Sequence, residues 1–581
     1  MATAERSLPI TAEHREFTVT VDGEAVPRTH QLLSASIGLP AQHVAWARLA
    51  YLDGAAAAGD FPLSASPLFA PGAKVRISAG GGDESNLLFD GLVVKQSLRL
   101  REASASQLVV DCRHAATKLT VTRRSMIYLD LSDADLIQQL LSAAGLSADI
   151  DGAALHHDQL VQAHCTDWDF IVARARANGL LVLPRADRLV LKAPDDSAAP
   201  RLTLQHGATL LELDAQIDAR LQPAAVQVRR WDIGDQAAVD EDAPEPRLTG
   251  LGDFAPAELA AVHGVATEKL PRTALASDEA RALGSAAWQS ARADKASGRA
   301  KCEGLGQVLP GDVVTLAGCG ARLNGPVFVT GVRHEMDVVQ GWRTHLQFGG
   351  LGDDDALDQR LNQPPAPALL APVHGLQIGV VTALADAAGE FRVRVHLPLA
   401  EGAADGLWAR VASLDAGDQR GFVFRPEVGD EVVLGFLDND PRHPVVLGQL
   451  HSSAKPAHLA GDDANPLKGY RSRSGIELSF DDEKTIVTLK TPGDRRLVLD
   501  DDAGSITLGD AAGNRLTMDD TGVTLESAQK LTLKCPAGMA LESSAELSLQ
   551  AATSLTLEGS ASAELKGGGM TKIVGGQVLI N

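Results

Sequence analysis

The sequence predicts a mainly β protein with some α, ending in a needle that can form only when several chains associate. Three observations carry this reading. A strict eight-residue repeat runs from Val523 to Leu565, a stretch of short alternating strands without a helix spans about 371–449, and capped helical segments are confined to the first half of the chain. At 581 residues the chain is too long for one core, and length alone suggests about three or four domains.

The repeat is the most specific of these signals. Its apolar pairs are Val523/Leu525, Leu531/Leu533, Met539/Leu541, Leu547/Leu549, Leu555/Leu557 and the weaker Ala563/Leu565, each followed by five mostly small or polar residues. Side chains two apart on a strand share a face, so each pair makes one short inward rung and the remainder turns the chain. Two apolar side chains per eight residues are too few for a two-sided single-chain solenoid, so the rungs must stack on copies from other chains. Looser rungs at Leu497/Leu499, Ile506/Leu508 and Leu516/Met518 precede them, and the needle is read as 481–581.

Upstream, residues 1–361 mix strands with a few helices. Phe17–Val21 and Leu108–Asp111 alternate as half-buried strands, with Gly80-Gly81-Gly82-Asp83 as a turn. Ser132 caps a helix whose apolar face is Leu136, Ile137, Leu140, Leu141 and Ala144, stopped by Gly145. Thr166 opens a second, with Trp168, Ile171, Val172 and Ala175 at helical spacing and Asn178-Gly179 as its C-terminal cap. A strand Leu180–Leu183 follows, a third helix runs from Ser277 to about Ser297, and Pro310-Gly311-Asp312 turns into the strand Val313–Leu316. Asn362-Gln363-Pro364-Pro365-Ala366-Pro367 marks a stiff linker, 362–371. Within 372–451, Phe391–Leu397, Glu431–Phe436 and Pro444–Gly448 alternate as short strands, and closing them into a small barrel would remove exposed edges. Residues 452–480 read as a polar neck.

Composition excludes several function classes. A formal charge of −22 argues against a nucleic-acid surface and against docking on anionic lipid. The five cysteines are scattered, with no zinc spacing, and read as small buried hydrophobes in a reducing compartment. Met1-Ala2-Thr3-Ala4-Glu5-Arg6 lacks the features of a secretory signal, so assembly in the cytoplasm is expected. Asp353-Asp354-Asp355, Asp481-Asp482-Glu483 and Asp500-Asp501-Asp502 read as solvated turns, without calcium-loop spacing. His156-His157-Asp158 and His334-Glu335 do not extend to a metal motif, and there is no GxSxG elbow or phosphate-binding loop. We expect no enzyme, no cofactor and no metal.

Several segments carry a family resemblance. Gly421-Phe422-Val423-Phe424-Arg425-Pro426-Glu427-Val428-Gly429-Asp430-Glu431-Val432 and Asp440-Pro441-Arg442-His443-Pro444-Val445-Val446-Leu447-Gly448 resemble the oligosaccharide/oligonucleotide-binding (OB) domain of the VgrG family. These are spike proteins of contractile injection machines, similar to the hub and needle proteins of contractile phage tails. Asp167-Trp168-Asp169-Phe170-Ile171, Asn178-Gly179-Leu180-Leu181 and Asn324–His334 resemble its hub, and Arg473-Ser474-Gly475-Ile476-Glu477-Leu478 the start of its needle. The resemblance implies a homotrimer. A hub of barrel-like β domains with helices would cap an inner tube, an OB barrel would form a neck, and a C-terminal intertwined triple-stranded β-helix would form the shaft. Expected partners are inner-tube and baseplate proteins and, transiently, a target membrane, with no nucleic acid. A tip protein of the PAAR-repeat kind would sit at Ile573, Val578 and Ile580, beyond the break at Gly567-Gly568-Gly569. The lysozyme domain that some phage needles insert is not expected, since only about 30 residues separate barrel and needle. The expected role is a passive puncturing shaft, in an extracellular phage-tail-like particle ahead of a type VI secretion or phage baseplate spike, and well ahead of a trimeric receptor-binding fibre or adhesin.

Overall fold

The structure is a computed structural model. It describes residues 17–580 apart from 55–58, 81–85, 103, 233–236, 273–274, 351–365, 367–368, 399 and 403–404. The first six residues, part of the glycine turn after Gly80, Asp353-Asp354-Asp355, most of the proline-rich linker and Asn581 lie outside the described residues. The chain divides into two compact units, 1–451 and 452–581.

Within the first unit a sheet of thirteen strands among the described residues organises the hub. The strand Leu32–Pro40 pairs on one side with Trp46–Leu52 and on the other with Gly325–Asp337, so segments almost three hundred positions apart close the sheet. Its core holds Ile37, Leu49, Ile77, Val110, Phe69 and Val314, all buried. The three expected helices are present: α1, Asp133–Ala143, α2, Asp167–Ala177, and α3, Ser277–Ala293. Ser132 Oγ and Thr166 Oγ1 each accept the amide three residues on at 3.1 Å, which satisfies a helix-end donor that would otherwise lack a partner. The third helix ends earlier than Ser297. The chain turns at Asp294, Lys295 is buried and donates to the Thr249 and Phe254 carbonyls at 3.1 and 2.8 Å, and Ala296–Glu303 continues as a strand.

His334 lies on the strand Gly325–Asp337, fully buried, with Nδ1 3.1 Å from Thr344 Oγ1. Burial pushes its pKa down to about 3, helped by the neighbouring His345. A histidine held neutral in the fold but free to charge when unfolded contributes stability above its unfolded pKa of about 6.5 and loses it as pH falls towards the folded value. His334→Gln is therefore expected to flatten the fall in melting temperature between pH 6.5 and 4, measured by scanning calorimetry; an unchanged slope would assign the acid sensitivity elsewhere.

The barrel consists of β1 (Gln377–Ala383), β2 (Val393–His396), β3 (Leu407–Val411), β4 (Glu431–Phe436) and β5 (Pro444–Gln449), closed in the order β1-β2-β3-β5-β4. Inward Val381, Val393, Val395, Leu407, Val432 and Leu434 fill it. The same cluster includes Ile127 and Val161 from two hub strands, so barrel and hub share one core despite the proline-rich stretch between them. Gln159 fixes the joint by donating to the Arg442 carbonyl at 2.5 Å and accepting the Trp408 amide at 3.0 Å.

A buried charge network crosses the joint. Arg442 grips Asp440 through both carboxylate oxygens and reaches Glu279 of α3 at 2.5 Å. Arg174 of α2 binds Asp133 through both oxygens at 2.7 Å and lies 3.9 Å from the same Glu279. His157 is 3.1 Å from Asp133, and Asn178 donates to Asp133 at 2.7 Å. The His156-His157-Asp158 segment thus supplies a buried partner to an ion network.

In the second unit a single meander of seven antiparallel strands runs β6 (Leu467–Arg471), β7 (Glu477–Asp481), β8 (Ile486–Lys490), β9 (Arg496–Asp500), β10 (Ser505–Gly509), β11 (Arg515–Asp519) and β12 (Gly522–Glu526). The first two strands fall in the stretch read as neck, so the sheet starts at Leu467, ahead of the expected 481. Leu478/Phe480 repeat the i, i+2 apolar pairing of the later rungs, which is the signal that places them there.

Candidate functional site

The meander has two chemically different faces. Strand pairing lines up Tyr470, Leu478, Leu489, Leu497, Leu508, Leu516 and Leu525 in one continuous ladder. A second ladder on the same face holds Phe480, Val487, Leu499, Ile506, Met518 and Val523. The opposite face carries Ser479, Thr488, Val498, Thr507, Thr517 and Thr524 between them. Period-two alternation therefore sends most large apolar side chains to one side, with Ile486 and Val498 on the other. None of the described residues of this unit covers that side: Leu497, Leu508 and Val523 are 37%, 54% and 70% exposed. An uncovered apolar surface of this length is unusual for a monomer and marks an association site.

Four of the six turns are fixed by an aspartate bonded to its own backbone, and the other two by Ser472 and Thr491, whose hydroxyls accept the Ile476 and Arg495 amides. Asp481 Oδ1 accepts the Glu483 and Lys484 amides at 3.1 Å, and Asp500 Oδ1 accepts the Ala503 amide at 2.8 Å. Asp510 accepts from Ala512 and Asn514, and bonds to Asn514 hold its carboxyl below the usual range. Such turns end each strand after five residues and fix the register. Among the described residues no group of three or more His, Cys, Asp or Glu side chains is placed to hold a metal. None of the five cysteines forms a disulfide, and only Cys112 and Cys302 are the buried hydrophobes expected: Cys165 and Cys319 are half-buried and Cys535 is exposed.

The octads behave differently from the meander. Val523 and Leu525 sit on β12, paired with Met518 and Leu516. Beyond Glu526 no strand forms among the described residues, and Leu531, Leu533, Met539, Leu541, Leu547, Leu549, Leu555, Leu557 and Leu565 all remain exposed. Backbone amides and carbonyls of an extended chain need partners, and here this chain supplies none from a neighbouring strand. Ile573, Val578 and Ile580 are likewise exposed, at 63%, 47% and 88%. The sequence reading does not include Tyr470, Phe480, Val487 and Leu489, which the meander adds to the same surface as Leu497 and Leu508.

A hub welded to a closed barrel, followed by a one-sided sheet and an unpaired octad segment, defines a spike-type component that is completed by further chains. Three family models match in the same order: the Alg8 N-terminal domain over 11–337, the type VI secretion system/phage-baseplate injector OB domain over 377–451, and the phage baseplate V C-terminal trimerisation domain over 486–581. The chain belongs to the family of the Alg8 N-terminal domain, which covers more than half of it, and with its barrel and trimerisation segment it is a VgrG-family spike protein.

Among curated proteins, the type VI secretion system spike protein VgrG3 of Vibrio cholerae is 32% identical over 101 residues, 16% of this chain and 10% of that protein. VgrG4b of Pseudomonas aeruginosa is 34% identical over 137 residues, 21% of this chain and 17% of its own length. The chain thus spans a tenth to a fifth of the length of these relatives. A chain of the half-lidded Francisella PdpA-VgrG complex shares the fold, with a TM-score of 0.52 at 8% identity over 88% of each chain.

Proposed function

We propose that three copies of this chain form the structural spike of a contractile injection system, with the hub on the inner tube and baseplate, the barrel as neck, and 467–581 as an intertwined triple-stranded needle that punctures a membrane. The observation that carries this is the uncovered double ladder running from Tyr470 to Val523, continued by octads that have no strand partner in their own chain. Burying one such leucine contributes roughly 1.5–3 kcal/mol, and a prism of three sheets buries every rung. The role is mechanical, without catalysis or cofactor. Light scattering on the purified protein should give three times the 60.9 kDa of one chain; a monomer would remove the basis of the proposal, and release of muropeptides from peptidoglycan would refute a purely mechanical role.

Ile573, Val578 and Ile580 form the seat of a separate tip protein of the PAAR-repeat kind. Deletion of Met570 to Asn581 is expected to abolish capture of such a tip in a pull-down while leaving the trimer mass unchanged. Retained capture would refute the seat. The system is an extracellular phage-tail-like particle. A second reading, a type VI secretion spike, is favoured by the named relatives in Vibrio and Pseudomonas. Recovery of the protein in sedimentable sheathed particles from culture medium separates the two.

A further inference from the structure

The barrel carries two exposed apolar surfaces that the needle does not explain. The first is an arm between β3 and β4, where Ala416–Gly417 and Arg420–Gly421 form a short hairpin. Leu414 on it is 94% exposed, and Phe422, Val423 and Phe424 are 54%, 66% and 59% exposed, with the two phenyl rings stacked 6.0 Å apart.

The arm is held rigidly. Ser413 Oγ donates to the Phe422 carbonyl at 2.7 Å, the Phe422 amide donates to the Asp415 carbonyl at 3.0 Å, and Arg420 pairs with Asp415 at 2.6 Å. Gly421 has φ +121°, and any side chain there would strike the Asp415 carbonyl. At its far end Arg425 donates to the Leu384 and Arg392 carbonyls, each at 2.6 Å. A preorganised arm displaying four large apolar groups loses little conformational entropy on docking.

The second surface is the outer face of β1, β4 and β5. Ile378 and Leu447 are 42% and 53% exposed there, with Val433 half-buried between those strands. Gly435 leaves room for Leu447 to lie flat, because a Cβ at that position would come within 3.0 Å of it.

Resting on the proposed trimeric spike, we infer that the arm of one barrel docks on the β1-β4-β5 face of the next copy, giving the neck a three-fold clasp of its own. A projecting arm and a flat face on one barrel are unlike surfaces, so their contact is head to tail, and head-to-tail contacts between identical copies close a ring when the rotation permits. The occupant is a second copy because of where the arm starts. β3 runs parallel to β5, and the Ala412 amide donates to the Val446 carbonyl at 2.9 Å. The arm therefore leaves the barrel at the same end as β5, the strand from which the chain runs on to the segment matching a trimerisation domain.

The test uses the full chain with the exposed Cys535 replaced by serine, carrying Phe422→Cys and Leu447→Cys together or singly. Under mild oxidation the double variant should give a covalent three-chain species in denaturing electrophoresis, and neither single variant should. A trimer by light scattering that yields no covalent oligomer would overturn the clasp and leave the spike standing. Covalent pairs from Phe422→Cys alone would overturn the head-to-tail geometry. A monomer would overturn the spike and the clasp together. On the unmodified protein, hydroxyl-radical footprinting should show Phe422 and Leu447 shielded; labelling of both at the rate of exposed residues would also overturn the clasp.

Discussion

Leu508→Asp should convert the trimer into dissociated or aggregating chains whose first unit still melts as a folded body. Leu508 lies in the middle of the longer ladder, between Leu497 and Leu516 on the neighbouring strands. In a closed prism it faces its two copies, so the substitution places three carboxylates in one dry layer. A buried, unpaired charge costs several kcal/mol, and symmetry repeats that cost in each chain. Thr507→Asp is the matching control. It lies one residue away on the threonine face, and surface changes of that kind stay within about 0.5 kcal/mol. The readouts are light scattering for mass and calorimetry for the hub-and-barrel transition. A trimer that tolerates Leu508→Asp, or fails equally with Thr507→Asp, would show that the ladder is not the inner face.

The contrast between those adjacent residues also shows what the sequence makes legible. Period-two alternation is local, so the rungs from Leu497 onwards and the octad pairs can be read directly from spacing. The first strands of the meander escape because polar turns at Arg473-Ser474-Gly475 and Asp482-Glu483-Lys484 interrupt the pattern before it repeats often enough to be seen. The helices at Ser132 and Thr166 are legible for the same local reason, since a cap and an apolar stripe are enough.

The hub-to-barrel joint is not legible. Gln159 and Arg442 meet across 283 positions, and Ile127 and Val161 enter a core whose other members lie beyond Val381. No local period encodes such contacts. His157 illustrates the ambiguity: next to His156 and Asp158 it has the composition of a metal fragment, and only the fold shows that it faces Asp133 and Arg174. The arm at 413–424 is a mixed case. Its last residues, Gly421 to Phe424, open the segment that carries the family resemblance, while residues 413–420 carry no sequence signal and the exposure of the arm is a property of the folded barrel.

Arg442→Met should uncouple the barrel from the hub, and the size of the effect follows from what the substitution leaves behind. Asp440 and Glu279 are both buried, and Arg442 bonds to each. Removing one member of a buried ion group costs about 3–5 kcal/mol, because the remaining charges stay desolvated without a partner. Arg174, 3.9 Å from Glu279, can relieve only one of the two carboxylates. Calorimetry should therefore show the single transition of the first unit lowered or split. Arg442→Met combined with Asp440→Asn should recover part of the loss, since the orphaned charge goes with it. Equal destabilisation by the single and double variants would mean that lost packing, and not the stranded carboxylate, sets the cost. The pH dependence has a defined sign. Burial alone would raise the pKa values of Asp133 and Asp440, but Arg174 with His157, and Arg442 with His443, hold them below the usual carboxylate range. Groups depressed in the fold contribute stability above their unfolded pKa of about 4 and lose it as pH falls through the folded value. The joint in the native protein should thus hold through mild acid and weaken only below about pH 4, whereas in Arg442→Met burial, opposed only by His443, should push the Asp440 carboxyl upward, so that lowering the pH and protonating it recovers part of the loss.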